Sequence, residues 1–420
     1  VALAPLVSTR KKAPAGLFTA IAWRNLWRNK RRTWLTAGGI AFAILLVVFS
    51  MAAQSGSYEG MIDSAARLAT GYIQIQHPDY QDNPRLRSTL TEATPLMRRV
   101  AGVQGVTAVA PRAEGFALIS AGERSYGAMV MGVDREAELG FSSLPSKLTH
   151  GNYLESSIDA FIGSALARNL GVSVGDELVV LGTAKQGGVA AMVFIVGGIF
   201  DTGQPILDRT ILQVRLATLQ DGFELGDEVH RLVVMTDDVG TSGEVVTRLR
   251  GVLDDKVRVL GWTELLPGME QAIQLDRISA NFMYWILMIL VTLSIVNTFI
   301  MTVFERTREF GMLLSLGMRP GTIVMMLEME AFSIWVVGAI VGLTLSVAII
   351  VPLGIVGIPL SGMEELARQY GMPDRLRPVL DLRAALTAPL VMGVGALLAA
   401  LIPAMRVRKL RPIEALRETE

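Results

Sequence analysis

The chain has 420 residues, of which 51% are hydrophobic, and its mean hydropathy is +0.43. Such a composition excludes an ordinary soluble enzyme and indicates a membrane protein. The net charge is zero, but residues 1–56 carry eight basic and no acidic side chains, whereas residues 57–277 carry 28 acidic against 19 basic ones. This opposition predicts that the first segment faces the cytoplasm and the second faces away from it.

The N-terminal part of the chain is basic and rich in aromatic residues. Phe18, Ile21 and Leu26 recur on one helical side of residues 17–33, which predicts an amphipathic helix in the lipid interface. A solvated basic tail is the alternative. The apolar run that follows predicts a first membrane-spanning helix at 34–56, with its N-terminus in the cytoplasm.

Residues 57–277 are predicted to form an external α+β domain with short strands. Both of its ends keep helical spacing, as Tyr58 and Ile62 show at one end and Met269 and Ile273 at the other. We expect these flanking helices to continue the neighbouring spans as stalks and to pack against each other. Two ordinary terminal helices of the domain are the alternative.

The remaining apolar runs predict three more membrane-spanning helices, so that the protein has four. The predicted order is a second span at 278–304, a coupling helix at 305–323, a third span at 324–351, an external loop at 352–385, a fourth span at 386–403 and a cytoplasmic tail at 404–420. The three segments assigned to the cytoplasm, including 1–33, are all basic, in agreement with the positive-inside rule.

Several residues within the spans are candidates for packing or function. Gly338 and Gly342 form a small-xxx-small pattern that allows close approach of another helix. Asn297 in the second span either bonds across a dimer or is satisfied within its own helix. Glu328 and Glu330 are intramembrane carboxylates and hence functional candidates, unless they are solvated at the interface.

The charged segment after the second span, ERTREFGMLLSLGMRP, predicts a short amphipathic helix at the membrane surface. Phe310, Leu313, Leu314 and Gly317 recur at three- and four-residue spacing, and Gly317 followed by Pro320 is typical of a helix end. Such a helix offers a docking surface to a partner on that side of the membrane. An ordinary polar loop between two spans is the alternative.

This segment, together with both ends of the chain, resembles the FtsX-like permease family, the MacB/LolCDE type of ABC transporter. The similar stretches are ERTREFGMLLSLGMRPGTI, the start WRNLWRNKRRT, the ending PAMRVRKLRPIEALRE and, in the external domain, LARNLGVSVGDEL. Ser315 replaces the alanine that usually precedes Leu-Gly in this family. The resemblance assigns the ATPase-contacting segment to Glu305, Arg306, Arg308, Glu309, Gly311, Leu313 and Gly317, and the C-terminal signature to Pro412, Ala415 and Leu416.

The resemblance implies a permease subunit of the bacterial inner membrane, with a periplasmic domain and with both termini in the cytoplasm. Its expected partners are a separate ABC ATPase that binds ATP and Mg²⁺, a second permease subunit (identical or paralogous), a periplasmic adaptor or chaperone, and membrane lipid, but no nucleic acid. No cofactor or metal is expected in this chain. ATP hydrolysis in the partner would move the periplasmic domain through the stalk helices, and the expected cargo is lipoprotein or another hydrophobic substrate.

Other functions are judged from the residues that each would need. From the short segment before the first span we expect no MacB-like fused ATPase, and from the size of the external domain we expect no division-type activator. A membrane-anchored sensor or scaffold that binds a partner without transport is the alternative function. An enzyme would have to use Asp201, Asp208 and His230, the nearest approach to acid/base candidates.

The sequence also lacks the usual motifs of metal or nucleotide sites. The chain has no cysteine, its three histidines are widely separated, and GTAKQGG (182–188) lacks the GxxxxGK[ST] pattern of a nucleotide-binding loop. We therefore expect a non-catalytic transmembrane subunit.

Overall fold

The computed structural model describes residues 24, 27, 30–362 and 375–407. They fall into two compact units. The first contains the described residues of Val1–Gly56, Leu275–Gly357 and Arg377–Glu420, and the second contains those of Ser57–Gln274 and Ile358–Leu376.

The helices in the described part of the chain are α1 (Lys30–Ala65), α2 (Ala93–Ala101), α3 (Arg135–Phe141), α4 (Ser164–Leu170), α5 (Pro205–Thr210), α6 (Leu216–Gly222), α7 (Val239–Val252), α8 (Trp262–Leu265), α9 (Pro267–Glu305), α10 (Thr307–Ser315), α11 (Pro320–Val356) and α12 (Leu382–Val407). A π-helical turn, Ala66–Thr70, follows α1, and a 3₁₀ turn covers Leu144–Lys147. The strands are β1 (Ile73–Gln76), β2 (Val106–Ala121), β3 (Arg124–Val133), β4 (Leu148–Gly151), β5 (Asp159–Gly163), β6 (Glu177–Thr183), β7 (Val189–Phe200), β8 (Ile211–Arg215), β9 (Arg231–Thr236), β10 (Arg258–Gly261), β11 (Ile358–Pro359) and β12 (Arg375–Leu376).

Four helices, α1, α9, α11 and α12, are long and apolar enough to cross a membrane. They build the first unit around a core of small and branched side chains such as Ile44, Phe299, Ile334 and Ala396. Each predicted span lies within one of these helices, and the helices extend further than the apolar runs. Backbone hydrogen bonds do not depend on side-chain polarity, so a helix continues beyond its apolar run.

The third span is predicted to end before Pro352, but this proline and Pro403 both lie inside helices. Pro352 lies inside α11, which runs on to Val356, and Pro403 lies inside α12. A proline removes a single hydrogen bond to the preceding turn, and close to a helix end little further bonding is lost. The amphipathic segment before Lys30 lies mostly outside the described residues, and so do residues 363–374 of the predicted external loop.

The second unit is organised by the long strand β2. The first part of β2 pairs with β9, and its last part pairs with β6, while β3 runs along it from Arg112 onward. The strands β10, β1, β9 and the first part of β2 form one sheet, which packs with α2 and α7 into a first lobe. The strands β2, β3, β8, β5, β7 and β6 pair in a ring that returns to β2 and forms a second lobe.

The ends of both flanking helices contribute to the core of the first lobe. Tyr58 and Ile62 from α1 and Ile273 from α9 are buried in the same cluster as strands β1 and β9. The predicted amphipathic stalks therefore have their apolar sides on this lobe.

A buried ion pair holds the π-helical turn that follows α1. Arg112 on β2 donates two hydrogen bonds to Glu138 on α3, of 2.6 and 2.9 Å. The two side chains are buried, with exposures of 1% and 0%. The same guanidinium donates to the carbonyl oxygen of Ala69 in the turn. The N–H of Ser143 donates to the carbonyl oxygen of Arg67, 2.9 Å away. The turn is thus joined to the sheet and to α3.

Candidate functional site

The segment between α9 and α11 is a short helix with defined ends. At Arg306 the backbone departs from helical geometry (φ −104°, ψ 8°), and α10 then begins at Thr307. It ends at Gly317, whose φ of +85° favours glycine. The N–H of Gly317 donates to the carbonyl of Leu314, and that of Met318 donates to the carbonyl of Leu313, both at 3.0 Å. This is the Schellman arrangement of a glycine-terminated helix, at the position that the sequence predicts.

The inner face of α10 is packed against the ends of the long helices. Phe310 is 1% exposed and lies in a cluster with Val303 of α9, Ile323 of α11 and Ala404 of α12. Leu313, Leu314 and Met318 pack around this cluster. Burial of such side chains stabilises by about 1.5–3 kcal/mol each. The helix is therefore a fixed part of the first unit.

Two charged residues between α9 and α10, Glu305 at the end of α9 and Arg306 before α10, connect the long helices at this point. The Arg306 guanidinium bonds to Glu309 and to Glu330 of α11, both at 2.9 Å, and lies 5.4 Å from the centre of the Phe310 ring. Glu305 pairs with Arg32 of α1 at 2.6 Å. The Arg306 and Glu330 side chains are only 12% and 8% exposed, so that pair is shielded, whereas the Glu305 pair is more open to solvent and correspondingly weak.

The opposite face of α10 is exposed and partly apolar. Arg308, Met312 and Leu316 follow one another at four-residue spacing; we call them the outer stripe. Met312 is 48% and Leu316 84% exposed. Arg319, beyond the helix end, is also exposed. An apolar stripe between two arginines is typical of a helix that lies in the groove of a partner.

The structure thus divides the residues of the predicted contact segment between two faces. Of these residues, only Arg308 belongs to the outer stripe; Gly311 is buried and Leu313 packs inward. Met312 and Leu316 were not predicted from the sequence. Their four-residue spacing from Arg308, on the helix face opposite to Phe310, is the signal that could have revealed them. Pro412, Ala415 and Leu416 lie outside the described residues.

The two glycines of α11 lie against α1. A Cβ atom at Gly338 would be 2.8 Å from Cγ2 of Ile40, and one at Gly342 would be 2.8 Å from the carbonyl oxygen of Ala41. No side chain fits at either position, so both glycines permit close contact between the helix backbones. Asn297 lies on the exposed side of α9, outside the core of the first unit.

The two carboxylates of α11 differ in their surroundings. Glu330 is buried and paired with Arg306, so it belongs to the structure of the α10 segment. One carboxylate oxygen of Glu328, Oε1, is buried and has no hydrogen-bond partner in the described part of the chain.

The acid/base candidates do not form one site. Asp201 and Asp208 lie together near the end of β7, where Asp201 accepts from Ser164 and Gly203 and Asp208 accepts from Thr202. Burial raises the pKa of Asp208; burial also acts on Asp201, but its hydrogen bonds outweigh this and lower its pKa. Both carboxylates shape a turn. Within residues 30–362 and 375–407 no group of three His, Cys, Asp or Glu side chains could hold a metal ion.

His230 has structural partners on both sides of its ring. Its Nδ1 accepts from the N–H of Glu114 at 2.9 Å, and its Nε2 lies 3.1 Å from the carbonyl oxygen of Leu86. These contacts require a neutral ring that carries its proton on Nε2. Burial lowers the pKa of His230, with Arg231 and Lys185 acting in the same direction and Glu114 against it.

The lowered pKa of His230 predicts a pH dependence of stability. The unfolded state has a histidine pKa of about 6.5 and binds more protons than the folded state below that value, so stability should fall as the pH decreases from about 7.5 to 5.5. We expect His230→Gln to lose less stability than the wild type over this range in thermal unfolding of the full chain. Equal losses in both proteins would contradict a buried neutral His230.

Two sequence families match the chain. The FtsX-like permease C-terminal family matches residues 281–412, and the MacB-like periplasmic core domain matches residues 33–252, which is more than half of the chain. The first match contains α10 and the second contains both lobes up to the end of α7.

The relatives include proteins of two named systems. The chain is 24% identical over 395 residues to the lipoprotein-releasing system transmembrane protein LolC of Xylella fastidiosa (strain 9a5c), covering 90% of this chain and 92% of that protein. It is 22% identical over 427 residues to LolC of Neisseria meningitidis serogroup B, covering 96% of this chain and all of that protein. It is 23% identical over 429 residues to the macrolide export ATP-binding/permease protein MacB of Nitrobacter winogradskyi, covering 98% of this chain and 61% of that protein.

The described part of the chain has four helices able to span a membrane, with an α+β domain between the first and the second of them. The family match of that domain, over more than half of the chain, agrees with this architecture. The chain therefore belongs to the FtsX-like permeases with a MacB-like periplasmic core domain, the ABC transporter permeases of the LolC and MacB type.

Proposed function

We propose that this permease subunit takes up work from a separate ABC ATPase docked on the outer stripe of α10 and delivers it as movement of the periplasmic core domain. The cargo of this movement would be a lipoprotein or another hydrophobic substrate at the inner membrane. ATP and Mg²⁺ would be bound by the ATPase, and this chain would carry no cofactor. The observation that carries the proposal is the outer stripe on a helix whose inner face is firmly held.

The outer stripe has the chemistry of a docking helix. Leu316 and Met312 supply apolar area, and Arg308 and Arg319 flank it with positive charge. A complementary partner would present an apolar groove with acidic residues at its rim. The apolar contacts would supply most of the affinity, and the arginines would orient the partner and raise the rate of association.

The inner face of α10 supports transmission of movement. Arg306, the residue before α10, is joined to α11, Glu305 at the end of α9 is joined to α1, and Phe310 is held among α9, α11 and α12. A displacement of α10 therefore displaces the ends of several long helices together. Helix α1 is unbroken from Lys30 to Ala65, a length of about 54 Å at ~1.5 Å per residue. Such a helix is a stiff element that could transmit movement along its length.

The relatives support a hydrophobic cargo. LolC is named for lipoprotein release and MacB for macrolide export. The LolC proteins are matched over 92% and 100% of their own length and MacB over 61%, at 22–24% identity in each case, and both names fit a hydrophobic cargo. A second permease subunit, identical or paralogous, and a periplasmic adaptor or chaperone would complete the system, and the basic N-terminal segment would place the N-terminus in the cytoplasm.

Co-purification of an ATPase tests the proposal. We expect tagged wild-type protein in mild detergent to bring down ATPase activity, and the double substitution Met312→Glu and Leu316→Glu to reduce it at least tenfold. Two carboxylates in place of the exposed apolar side chains would have to be desolvated on docking, at a cost of several kcal/mol. Met405→Glu is the matched control, because Met405 is 47% exposed on α12, beyond the predicted fourth span and outside the stripe.

Two outcomes would count against the proposal. Equal ATPase activity in the stripe variant and the wild type would place the docking surface elsewhere. If no ATPase activity accompanies the wild-type protein in several detergents, the alternative function, a membrane-anchored sensor or scaffold, is favoured.

A further inference from the structure

A face of cations and tryptophans lies at the N-terminal end of α1. We call it the basic–aromatic face; it consists of Arg24, Trp27, Lys30, Arg31 and Trp34, all of which are exposed. Residues 24 and 27 are helical, as is the chain from Lys30 onward. Positions 24, 27, 31 and 34 follow one another at three- and four-residue spacing, so they share one side of a helix. The rings of Trp27 and Trp34 meet edge to face, with their centres 6.4 Å apart.

The basic–aromatic face continues into an exposed apolar side of the first span. Leu35 and Phe42 follow Arg31 on the same side of the helix and are 81% and 64% exposed. Ile40 and Ile44, on the opposite side, are 2% and 0% exposed and belong to the core of the first unit. Because α1 is long and apolar enough to cross a membrane, its exposed apolar side chains meet lipid. The basic–aromatic face therefore lies where this side of the helix leaves the hydrocarbon region.

The cations of this face have no acidic side chain to neutralise them. Arg24, Lys30 and Arg31 make no ion pair with any residue that the structure describes, and residues 1–56 contain no acidic residue. The next residue, Arg32, differs, since it pairs with Glu305 at 2.6 Å. Cations at the end of a span attract anionic headgroups. Tryptophan is enriched at the same level, because its ring has an apolar body and a polar N–H. The face thus has the composition of a surface in the headgroup layer.

The same features disfavour a protein as the occupant of this face. A second copy of the chain, docked through the same face, would bring the cations of the two copies together, and like charges repel. An acidic partner protein would neutralise the cations, but it would also have to cover Leu35 on the adjoining turn, which lies within the predicted first span. Lipid meets both requirements, because its headgroup is charged and its chains are apolar.

The cations also select the charge of the headgroup. A phosphatidylglycerol headgroup has a negative phosphate and no positive charge, so its attraction to Lys30 and Arg31 is not offset. A phosphatidylcholine headgroup has the same phosphate together with a quaternary ammonium group, which these cations repel. The favoured ligand is therefore a phospholipid with a net negative charge. Its phosphate oxygens can accept hydrogen bonds from the Lys30 ammonium and the Arg31 guanidinium.

We propose that the basic–aromatic face binds anionic phospholipids of the surrounding leaflet, with the phosphate at Lys30 and Arg31 and with the indole rings at the level of the headgroups. The bound lipid holds the first turn of α1, the turn from which Arg32 pairs with Glu305. This inference goes beyond the proposed function and needs no ATPase, so the failure of either one does not affect the other.

Quenching of tryptophan fluorescence by brominated lipid tests this site. The full chain is placed in phosphatidylcholine nanodiscs with a minor fraction of brominated lipid, either phosphatidylglycerol or phosphatidylcholine with the same acyl chains. Bromine quenches only rings that it closely approaches, so a lipid bound at the face quenches more than its share of the bilayer predicts. The part of the quenching that Trp27→Phe with Trp34→Phe removes is the signal of the face. We expect this part to be at least threefold larger with phosphatidylglycerol at low salt, and the difference to shrink at high salt.

Matched variants assign the preference to the face. Lys30→Gln with Arg31→Gln should remove the preference for phosphatidylglycerol, while both lipids still quench the rings. Arg377→Gln with Arg383→Gln should preserve it, because these exposed arginines precede the predicted fourth span, at the other end of the first unit. Trp285→Phe should preserve it as well, since Trp285 is 56% exposed on α9 and outside the face.

Several results would overturn the inference. Equal quenching by the two lipids in the wild type would mean that the face does not select charge. A preference that survives Lys30→Gln with Arg31→Gln, or that is lost in either control, would place the lipid elsewhere. Rings that neither lipid quenches would show that a protein, a partner or a second copy, covers the face. Loss of the preference with inorganic phosphate, but not with sodium chloride of equal ionic strength, would identify a site for free phosphate instead of lipid.

Discussion

Replacement of Arg112 by leucine should destabilise the periplasmic core domain by about 3–5 kcal/mol, the usual cost of removing one partner of a buried ion pair. The Glu138 carboxylate, with 0% exposure, would lose both of its hydrogen bonds from the guanidinium. The carbonyl of Ala69 would lose its donor at the same time. A buried carboxylate without a partner must either remain charged at high cost or take up a proton.

Hydrogen exchange can locate this loss within the full chain. We expect Arg112→Leu to lose protection in the π-helical turn Ala66–Thr70 and in α3, since these are the elements that the guanidinium joins. Arg99→Leu is the matched control, because its pair with Asp254 at 3.7 Å is exposed and should contribute no more than about 1 kcal/mol. Equal protection in the two variants would contradict the assigned role of the buried pair.

A second substitution separates the cost of the unpaired charge from the value of the pair. Arg112→Met combined with Glu138→Leu removes both charges and should recover most of the stability that Arg112→Leu loses. Recovery should be incomplete, because the carbonyl of Ala69 still has no donor. If the double variant is as unstable as the single one, the cost comes from lost packing and not from the unpaired Glu138.

The architecture was accessible from the sequence because it depends on strong signals. Four apolar runs of membrane length and one long polar segment between the first two are visible without any contact information, and the predicted fold class is confirmed. The helix ends were less accessible. Pro352 and Pro403 are strong breaking signals in water, but they lie within α11 and α12 because neighbouring helices and the next turns maintain the local conformation.

The candidate site was predicted only in part, since exposure is a property of the folded unit. The spacing of Phe310, Leu313 and Leu314 shows an apolar side, and that side proved to be the inner face. Met312 and Leu316 are apolar as well, and the neighbouring sequence does not distinguish an exposed methionine from a buried one. The ion pair of Glu114 with Arg231 was beyond prediction for a different reason: the two residues are separated by more than a hundred positions and meet through the pairing of β2 with β9.

Substitution of Gly342 by leucine should force α1 and α11 apart. A Cβ atom at this position would lie 2.8 Å from the carbonyl oxygen of Ala41 and 3.1 Å from its Cα, and neither backbone atom can rotate away. Overpacking of a tight core costs about 1–3 kcal/mol, and a clash with backbone belongs at the upper end. The separation would also open the cluster that Ile40 and Ile44 form with α11.

Disulfide crosslinking measures the distance between the two helices directly, because the chain has no native cysteine. Cysteines introduced at Val48 and Ser346, each one helical turn beyond the contact of Ile44 with Gly342, should form a disulfide readily in the otherwise wild-type protein and at least tenfold more slowly with Gly342→Leu. Gly321→Leu is the matched control on the same helix, since a Cβ there has no atom within 4 Å. Unchanged crosslinking with Gly342→Leu would show that this contact tolerates a side chain.

The same variant would connect packing with coupling. The junction of α9 and α10 is joined to α1 through Glu305 and to α11 through Arg306, so a separation of these helices should strain both ion pairs. We therefore expect Gly342→Leu to retain an ATPase on the outer stripe, which faces away from the contact, but to lose stimulation of ATP hydrolysis by cargo. Retained stimulation with separated helices would mean that movement passes from α10 by α9 alone, the remaining long helix that continues into the periplasmic core domain.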